Sequence, residues 1–129
     1  MNNAVFNIID SSAWLSYFAG DENAEFFADP IETIDWLLVP SICLTEVFKT
    51  VFRQRGEDPA TAAIAHMKQG RVILLDDQLA VDAALLGVKH KLPLADGIIY
   101  ATAQRHDAIV WTQDRDFKDL EKVRYYEKT

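Results

Sequence analysis

The chain has 129 residues, of which 50% are hydrophobic and 26% are charged, and these values are typical of one globular domain. We therefore expect residues 1–129 to form a single domain. No apolar run reaches the roughly 20 residues that a membrane-spanning helix needs, which argues against a membrane protein. The only cysteine, Cys43, excludes an internal disulfide and favours a cytoplasmic location.

The net charge is −7, which by itself argues against nucleic-acid binding because phosphate contacts favour basic proteins. This objection weakens if the acids are concentrated at a metal site, where bound divalent cations would offset several of the negative charges.

Short apolar runs alternate with helical patterns along the chain. The runs that predict strands lie at residues 5–9, 37–40, 72–75, 108–111 and 123–126. Helical spacing predicts helices that start near Ala13, with Ser12 as N-cap, and then over residues 21–36 (interrupted at Pro30), 41–55, 59–69, 79–89 and 95–106. This alternation predicts an α/β protein, a three-layer α/β/α sandwich with a mostly parallel central sheet.

Acidic residues follow two of the predicted strands directly. Asp10 comes after the first strand, and Asp114 and Asp116 follow the fourth. Ligands of open parallel sheets bind beyond the carboxyl ends of the strands, so these acids should lie at one edge. Glu46 and Asp96 lie in early turns of predicted helices, where the helix dipole favours a carboxylate.

Each acid also has a purely structural interpretation. Asp10 alone is equally well explained as an N-cap, Glu46 as a solvated residue opposite an apolar helix face, and Asp114 and Asp116 as loop acids. Asp96 is harder to explain in this way because its helix is mostly apolar, although capping stays open there too.

Converging carboxylates repel one another, which raises their pKa values, and a hard cation removes that conflict. Oxygen ligands suit Mg²⁺ or Mn²⁺, and no spacing of cysteine and histidine suggests zinc. Such ions activate water and stabilise the charge on a phosphodiester under attack.

Four segments carry these acids in a recognisable order. They are IIDSS (residues 8–12), VPSICLTEV (39–47), LPLADGIIYATA (92–103) and VWTQDRDF (110–117). Together they resemble the PIN-domain family, in particular the VapC-type toxins of toxin–antitoxin pairs, over nearly the whole chain. Gly97 stands where alanine is more usual in that family.

The resemblance implies a PIN-like α/β/α fold and an Mg²⁺- or Mn²⁺-dependent endoribonuclease in which water attacks the phosphate without a covalent enzyme intermediate. It assigns catalysis and metal binding to Asp10, Glu46, Asp96 and Asp114, further metal binding to Asp116, and hydrogen bonding of these carboxylates to Ser11 and Thr112.

The resemblance also implies partners: an RNA substrate, a cognate antitoxin that covers the active-site groove with a peptide segment, and a second copy in a homodimer. Phe26, Phe27 and Trp36 are candidates either for the dimer surface or for the core.

Local cations are expected to steer RNA phosphates in place of net charge. The candidates are Lys49 and Arg53, which share a helix face with Glu46, and Arg115 in the last acidic loop. Each is also explained as an ordinary solvated residue.

Two alternatives remain open from the sequence. One is a catalytically silent PIN-fold module that binds RNA or protein. The other is an aspartyl-phosphate phosphotransferase with Asp10 as nucleophile, although such enzymes usually carry a second acid where Ser12 stands.

Overall fold

The computed structural model describes residues 4–128 and contains a five-stranded sheet in which every pair of neighbouring strands is parallel. The strands are β1 (Asn7–Ile9), β2 (Leu37–Pro40), β3 (Arg71–Ile73), β4 (Ile109–Thr112) and β5 (Val123–Tyr125). Their spatial order is β3-β2-β1-β4-β5. The predicted α/β fold class is therefore confirmed.

In the part of the chain that the structure describes, six helices connect strands β1 to β4. They are α1 (Ser11–Ala19), α2 (Ala24–Glu32), α3 (Ser41–Arg55), α4 (Glu57–Met67), α5 (Asp77–His90) and α6 (Leu94–Arg105). Two short 3₁₀ turns lie at Ile34–Trp36 and Arg115–Phe117.

The central strands are buried on both faces, as a three-layer sandwich requires. All four residues of β2 are buried, and Ile8 and Ile9 of β1 are fully buried. Strands buried on both faces read as continuous apolar runs in the sequence, which is why these segments were recognisable. The register pairs Ile9 with Trp111, so β1 and β4 end side by side.

Several element boundaries differ from the sequence prediction. Helix α1 begins at Ser11 and its N-cap is Asp10, not Ser12, because the Asp10 carboxylate accepts the backbone N–H of Ala13. The helix predicted over residues 21–36 is split into α2 and a 3₁₀ turn, and Pro30 lies inside α2. Helix α4 begins two residues before Pro59, at Glu57.

Over residues 4–128, none of the helices is long and apolar enough to cross a membrane.

Candidate active site

The candidate site lies at the point in the sheet where the order of the strands reverses. From β1 the chain builds β2 and β3 on one side, and it then returns to build β4 and β5 on the other side. The crevice beyond the carboxyl ends of strands at such a point is the usual ligand site of open α/β sheets. Asp10 directly follows β1, and Asp114 lies two residues beyond β4.

The carboxylate of Asp10 is buried and held by three neighbours. Its Oδ1 accepts hydrogen bonds from the Ala13 amide (2.9 Å) and the Ser12 hydroxyl (2.8 Å). Its Oδ2 accepts one from the Thr112 hydroxyl at 2.7 Å. Burial, at 2% exposure, outweighs these stabilising bonds and raises the pKa of Asp10 to about 6.

Asp96 lies in the first turn of α6 and is only 9% exposed. Burial raises the pKa of its carboxyl group to about 8, and the nearby charges of Asp114 and then Asp10 add to this effect. A carboxylate in this position costs free energy at neutral pH unless a cation compensates it.

A tight group is formed by Asp96, Asp114 and Asp116. Each offers a carboxylate oxygen, and these oxygens lie within 4.8 Å of one another. The loop that carries two of them is ordered by its own hydrogen bonds. The Thr112 hydroxyl accepts the Asp114 amide at 2.8 Å, and Asp114 Oδ1 accepts the Asp116 amide at 2.9 Å.

Glu46 lies on α3 and contacts the start of α1. The Ser11 hydroxyl donates to Glu46 Oε1 at 2.6 Å, so the start of α1 connects Glu46 with neighbouring Asp10. Burial, assisted by the charges of Asp10, Glu46 and Asp96, raises the pKa of the Cys43 thiol. The charges of all three acids therefore act on this buried cysteine, although Asp10 and Glu46 are not members of the 4.8 Å group.

The sequence model of the PIN domain matches residues 8–123. The chain belongs to the PIN domain family.

Solved structures agree with this assignment at the level of fold. A toxin–antitoxin complex from Klebsiella pneumoniae shares 22% identity with a TM-score of 0.79, covering 95% of this chain and 99% of that one. Mycobacterium tuberculosis VapC20, a toxin that cleaves the sarcin–ricin loop, shares 21% identity with a TM-score of 0.76, covering 91% and 96%. DNA-bound VapBC from Salmonella typhimurium shares 16% identity with a TM-score of 0.68, covering 96% and 98%. The resemblance to VapC-type toxins therefore holds for the fold. No curated protein sequence matches the chain significantly.

The acids of this PIN domain fit a hard divalent cation. The three members of the tight group supply only carboxylate oxygens, which are the ligands that Mg²⁺ and Mn²⁺ prefer. Burial, and to a smaller extent the charges of neighbouring acids, raises the pKa values of Asp96 and Asp10, so both carboxylates are disfavoured as anions when no cation is bound.

Sequence reasoning missed one residue that contacts the site. The Ser12 hydroxyl lies 2.8 and 3.0 Å from the two oxygens of Asp10, whereas only Ser11 and Thr112 were expected to bond the acids. A hydroxyl two residues after an aspartate commonly bonds back to it, so this signal was present in the sequence.

A cavity of about 590 Å³ lies between α1, α3 and α4. Ser12, which donates a hydrogen bond to Asp10, lines one part of it, and Leu15, Phe18 and Val51 supply apolar surface. None of the candidate acids lines this cavity.

The predicted RNA-binding cations Lys49, Arg53 and Arg115 are all exposed, as steering residues must be.

Proposed function

We propose that this PIN domain is a metal-dependent endoribonuclease that acts as the toxin of a type II toxin–antitoxin system. The observation that carries the proposal is the convergence of Asp96, Asp114 and Asp116 beside the buried Asp10. The fold adds support, because structures that share it include a toxin that cleaves the sarcin–ricin loop.

Asp96, Asp114 and Asp116 would hold Mg²⁺ or Mn²⁺, and Asp10 and Glu46 would supply further negative charge to the site. When bound, such an ion lowers the pKa of water and neutralises charge on a phosphodiester. Asp96 must lose its proton before it can act as a ligand, so filling the site releases a proton near neutral pH.

The burial of Asp10 argues against a covalent phosphoaspartate. Its side chain is 2% exposed and both of its oxygens accept hydrogen bonds, so a phosphate would reach either oxygen only by displacing these neighbours. Cys43 is an equally poor nucleophile, because burial raises the pKa of its thiol.

An RNA cleavage assay tests the proposal. We expect Mg²⁺ or Mn²⁺ to support cleavage of a pool of total cellular RNA, and EDTA to abolish it. Asp96→Asn should lower the rate by about a hundredfold or more, because it removes both a ligand and a charge from the site. The matched control is Asp119→Asn, an exposed acid only three residues beyond Asp116, which should leave the rate unchanged.

Cleavage that survives both chelation and Asp96→Asn would contradict a metal-dependent nuclease. RNA binding without cleavage under any metal condition would instead favour the catalytically silent module.

The antitoxin is the second part of the proposal. A peptide segment of the antitoxin would cover the acids at the carboxyl edge of the sheet, and an arginine on it would pair with the group formed by Asp96, Asp114 and Asp116. An adjacent gene for a small DNA-binding protein, whose product relieves growth arrest caused by this chain, is the expected observation. A cytoplasmic location follows from the same proposal.

A further inference from the structure

Gln113 is a buried amide within the loop that carries two of the acids. We refer to residues 113–116 as the acidic loop. Gln113 stands between Thr112, whose hydroxyl donates to Asp10, and Asp114 of the tight group. It is only 7% exposed. Burial of an amide costs free energy unless hydrogen bonds satisfy it, so the partners of Gln113 show what this residue holds in place.

Two separate segments supply these partners. Gln113 Oε1 accepts a hydrogen bond from Asn23 Nδ2 at 3.0 Å. Gln113 Nε2 donates to the Ser12 carbonyl oxygen, and the Gln113 backbone N–H donates to the Ser12 hydroxyl, both at 3.4 Å. That hydroxyl lies 2.8 and 3.0 Å from the two carboxylate oxygens of Asp10. Gln113 therefore connects the acidic loop with a residue that holds Asp10.

Asn23 is itself held firmly. It lies in the connection between α1 and α2 and is 7% exposed. Its backbone N–H donates to Asp21 Oδ1 at 3.1 Å, and its Nδ2 also donates to the Glu127 carbonyl oxygen at 3.1 Å. Both hydrogens of the side-chain nitrogen are thus in use, so Asn23 presents a fixed donor to Gln113.

We infer that Gln113 is a positioning residue, which holds the acidic loop against α1 so that Asp114 stays aligned with Asp10 for metal binding. The inference rests on the proposed metal-dependent function of these acids. Thr112 ties the loop to Asp10, and Gln113 ties the next residue to Ser12 and Asn23. Two attachments at successive residues restrain rotation of the loop, because rotation about either contact would break the other.

A purely structural role of Gln113 predicts a different result. Loss of its hydrogen bonds would then lower the stability of the fold and leave the metal affinity of the folded chain unchanged. A positioning role predicts that the metal affinity falls, because the metal must then order the loop as it binds, at a cost in conformational entropy.

Calorimetric titration with Mn²⁺ tests the inference. Gln113→Met keeps the length of the side chain but removes its hydrogen bonds, and it should raise the Mn²⁺ dissociation constant by about tenfold. The matched control is Gln104→Met, the same change at an exposed position near the end of α6, which should leave this constant unchanged. Circular dichroism checks that both variants are folded at the temperature of the titration.

A second variant removes the support of Gln113 instead. Asn23→Leu should raise the Mn²⁺ dissociation constant by up to about tenfold. The double variant Asn23→Leu/Gln113→Met should bind no more weakly than Gln113→Met alone, because Asn23 acts through Gln113. In EDTA, both single variants should accelerate hydrogen exchange of the Asp114 amide, which donates to Thr112 Oγ1 at 2.8 Å.

RNA cleavage separates this inference from the proposed function. At saturating Mn²⁺, both single variants should keep nearly the wild-type kcat and KM for RNA, because the bound metal then orders the loop. A wild-type chain that binds Mn²⁺ but cleaves no RNA would contradict the nuclease, and the comparison of Mn²⁺ affinities would still decide the role of Gln113.

Three results would overturn the inference. They are a wild-type chain that binds no Mn²⁺, a folded Gln113→Met variant with unchanged Mn²⁺ affinity, and additive losses of affinity in the double variant. If Gln113→Met does not fold, Asn23→Leu decides the question by itself, and unchanged Mn²⁺ affinity and unchanged exchange of the Asp114 amide in that variant would overturn the inference equally.

Discussion

Among single residues, Asp10 has contacts that serve both the fold and the site. One oxygen caps α1 through the Ala13 amide, and the other accepts the Thr112 hydroxyl from the end of β4. A neutral asparagine at position 10 would keep the cap but could not accept hydrogen bonds on both sides in the same way. The N-cap interpretation of Asp10 is therefore confirmed, and the same carboxylate also bonds the end of β4, where the candidate site lies.

The two loop acids, Asp114 and Asp116, differ in burial and in their effect on the pKa of Asp96. Asp114 is half-buried and is the charge that most raises the pKa of Asp96, whereas Asp116 is exposed. We therefore expect Asp114→Asn to weaken Mn²⁺ binding by about a hundredfold and Asp116→Asn by about tenfold, as seen by calorimetric titration. Asp114→Asn should also lower the pKa of Asp96, which carboxyl NMR titration reports. A larger loss for Asp116→Asn would reverse the assignment.

Arg53 is the cation whose proposed role is easiest to isolate. It is exposed on α3 and follows Glu46 by seven residues, so both lie on one helix face. In an Asp96→Asn background, which prevents cleavage, Arg53→Ala should weaken RNA binding and reduce the slope of log affinity against log salt by about one. Arg71→Ala, at the start of β3 and thus away from the carboxyl edge, is the control. Equal effects of the two variants would remove Arg53 from the RNA surface.

Among elements, the α5–α6 pair positions Asp96 and depends on close backbone packing. A Cβ on Gly97 would lie 3.0 Å from the Ala83 carbonyl oxygen and 3.5 Å from Gly87 Cα. Because Gly97 directly follows Asp96, any displacement of α6 here also moves that carboxylate. Glycine at position 97 therefore permits the close approach of α5 and α6.

Gly97→Ala should lower the free energy of unfolding by about 1–2 kcal/mol, because the clash with the α5 backbone exceeds the helix propensity that alanine gains. The matched variant is Gly87→Ala, whose added Cβ meets only the Leu92 carbonyl oxygen, at 3.6 Å. It should be neutral or stabilising by up to about 1 kcal/mol. Urea denaturation measures both, and equal effects would refute the packing argument.

For the whole molecule, the buried acids make stability depend on pH. The folded state retains protons that the unfolded chain loses, between pH 3.8 and about 6 at Asp10 and between pH 3.8 and about 8 at Asp96. Because the folded state then binds more protons, the free energy of unfolding of the metal-free protein should fall as pH rises through this window. We expect a decrease of several kcal/mol between about pH 5 and about pH 8.5, measured by urea denaturation in EDTA.

Asp96→Asn removes the larger contribution to this pH dependence. The variant should therefore be more stable than wild type at alkaline pH, and its stability should vary less with pH. Saturating Mn²⁺ should raise the free energy of unfolding of the wild type at alkaline pH, by about 2.7 kcal/mol at a concentration of 100 times its dissociation constant. Wild-type stability that instead increases with pH, or an Asp96→Asn variant that is less stable at alkaline pH, would contradict the assigned burial.

The sequence alone determined the order of strands and helices and the placement of acids after β1 and β4. These features are local, because burial on both faces produces apolar runs and the acids lie within one or two residues of the strand ends. The buried environment of Asp96 was also visible, since its neighbours on α6 are apolar.

Only the tertiary structure decided which acids meet. The register that pairs Ile9 with Trp111 brings the ends of β1 and β4 together, and no local pattern encodes a pairing across a hundred residues. That register places Thr112 on Asp10, and Asp96, Asp114 and Asp116 form the tight group, of which Glu46 is not a member. The burial of Phe27 and the exposure of Val81, Leu85 and Val88 on α5 likewise depend on which helix faces another, because an apolar helical face looks the same in sequence whether it packs within the chain or stays exposed.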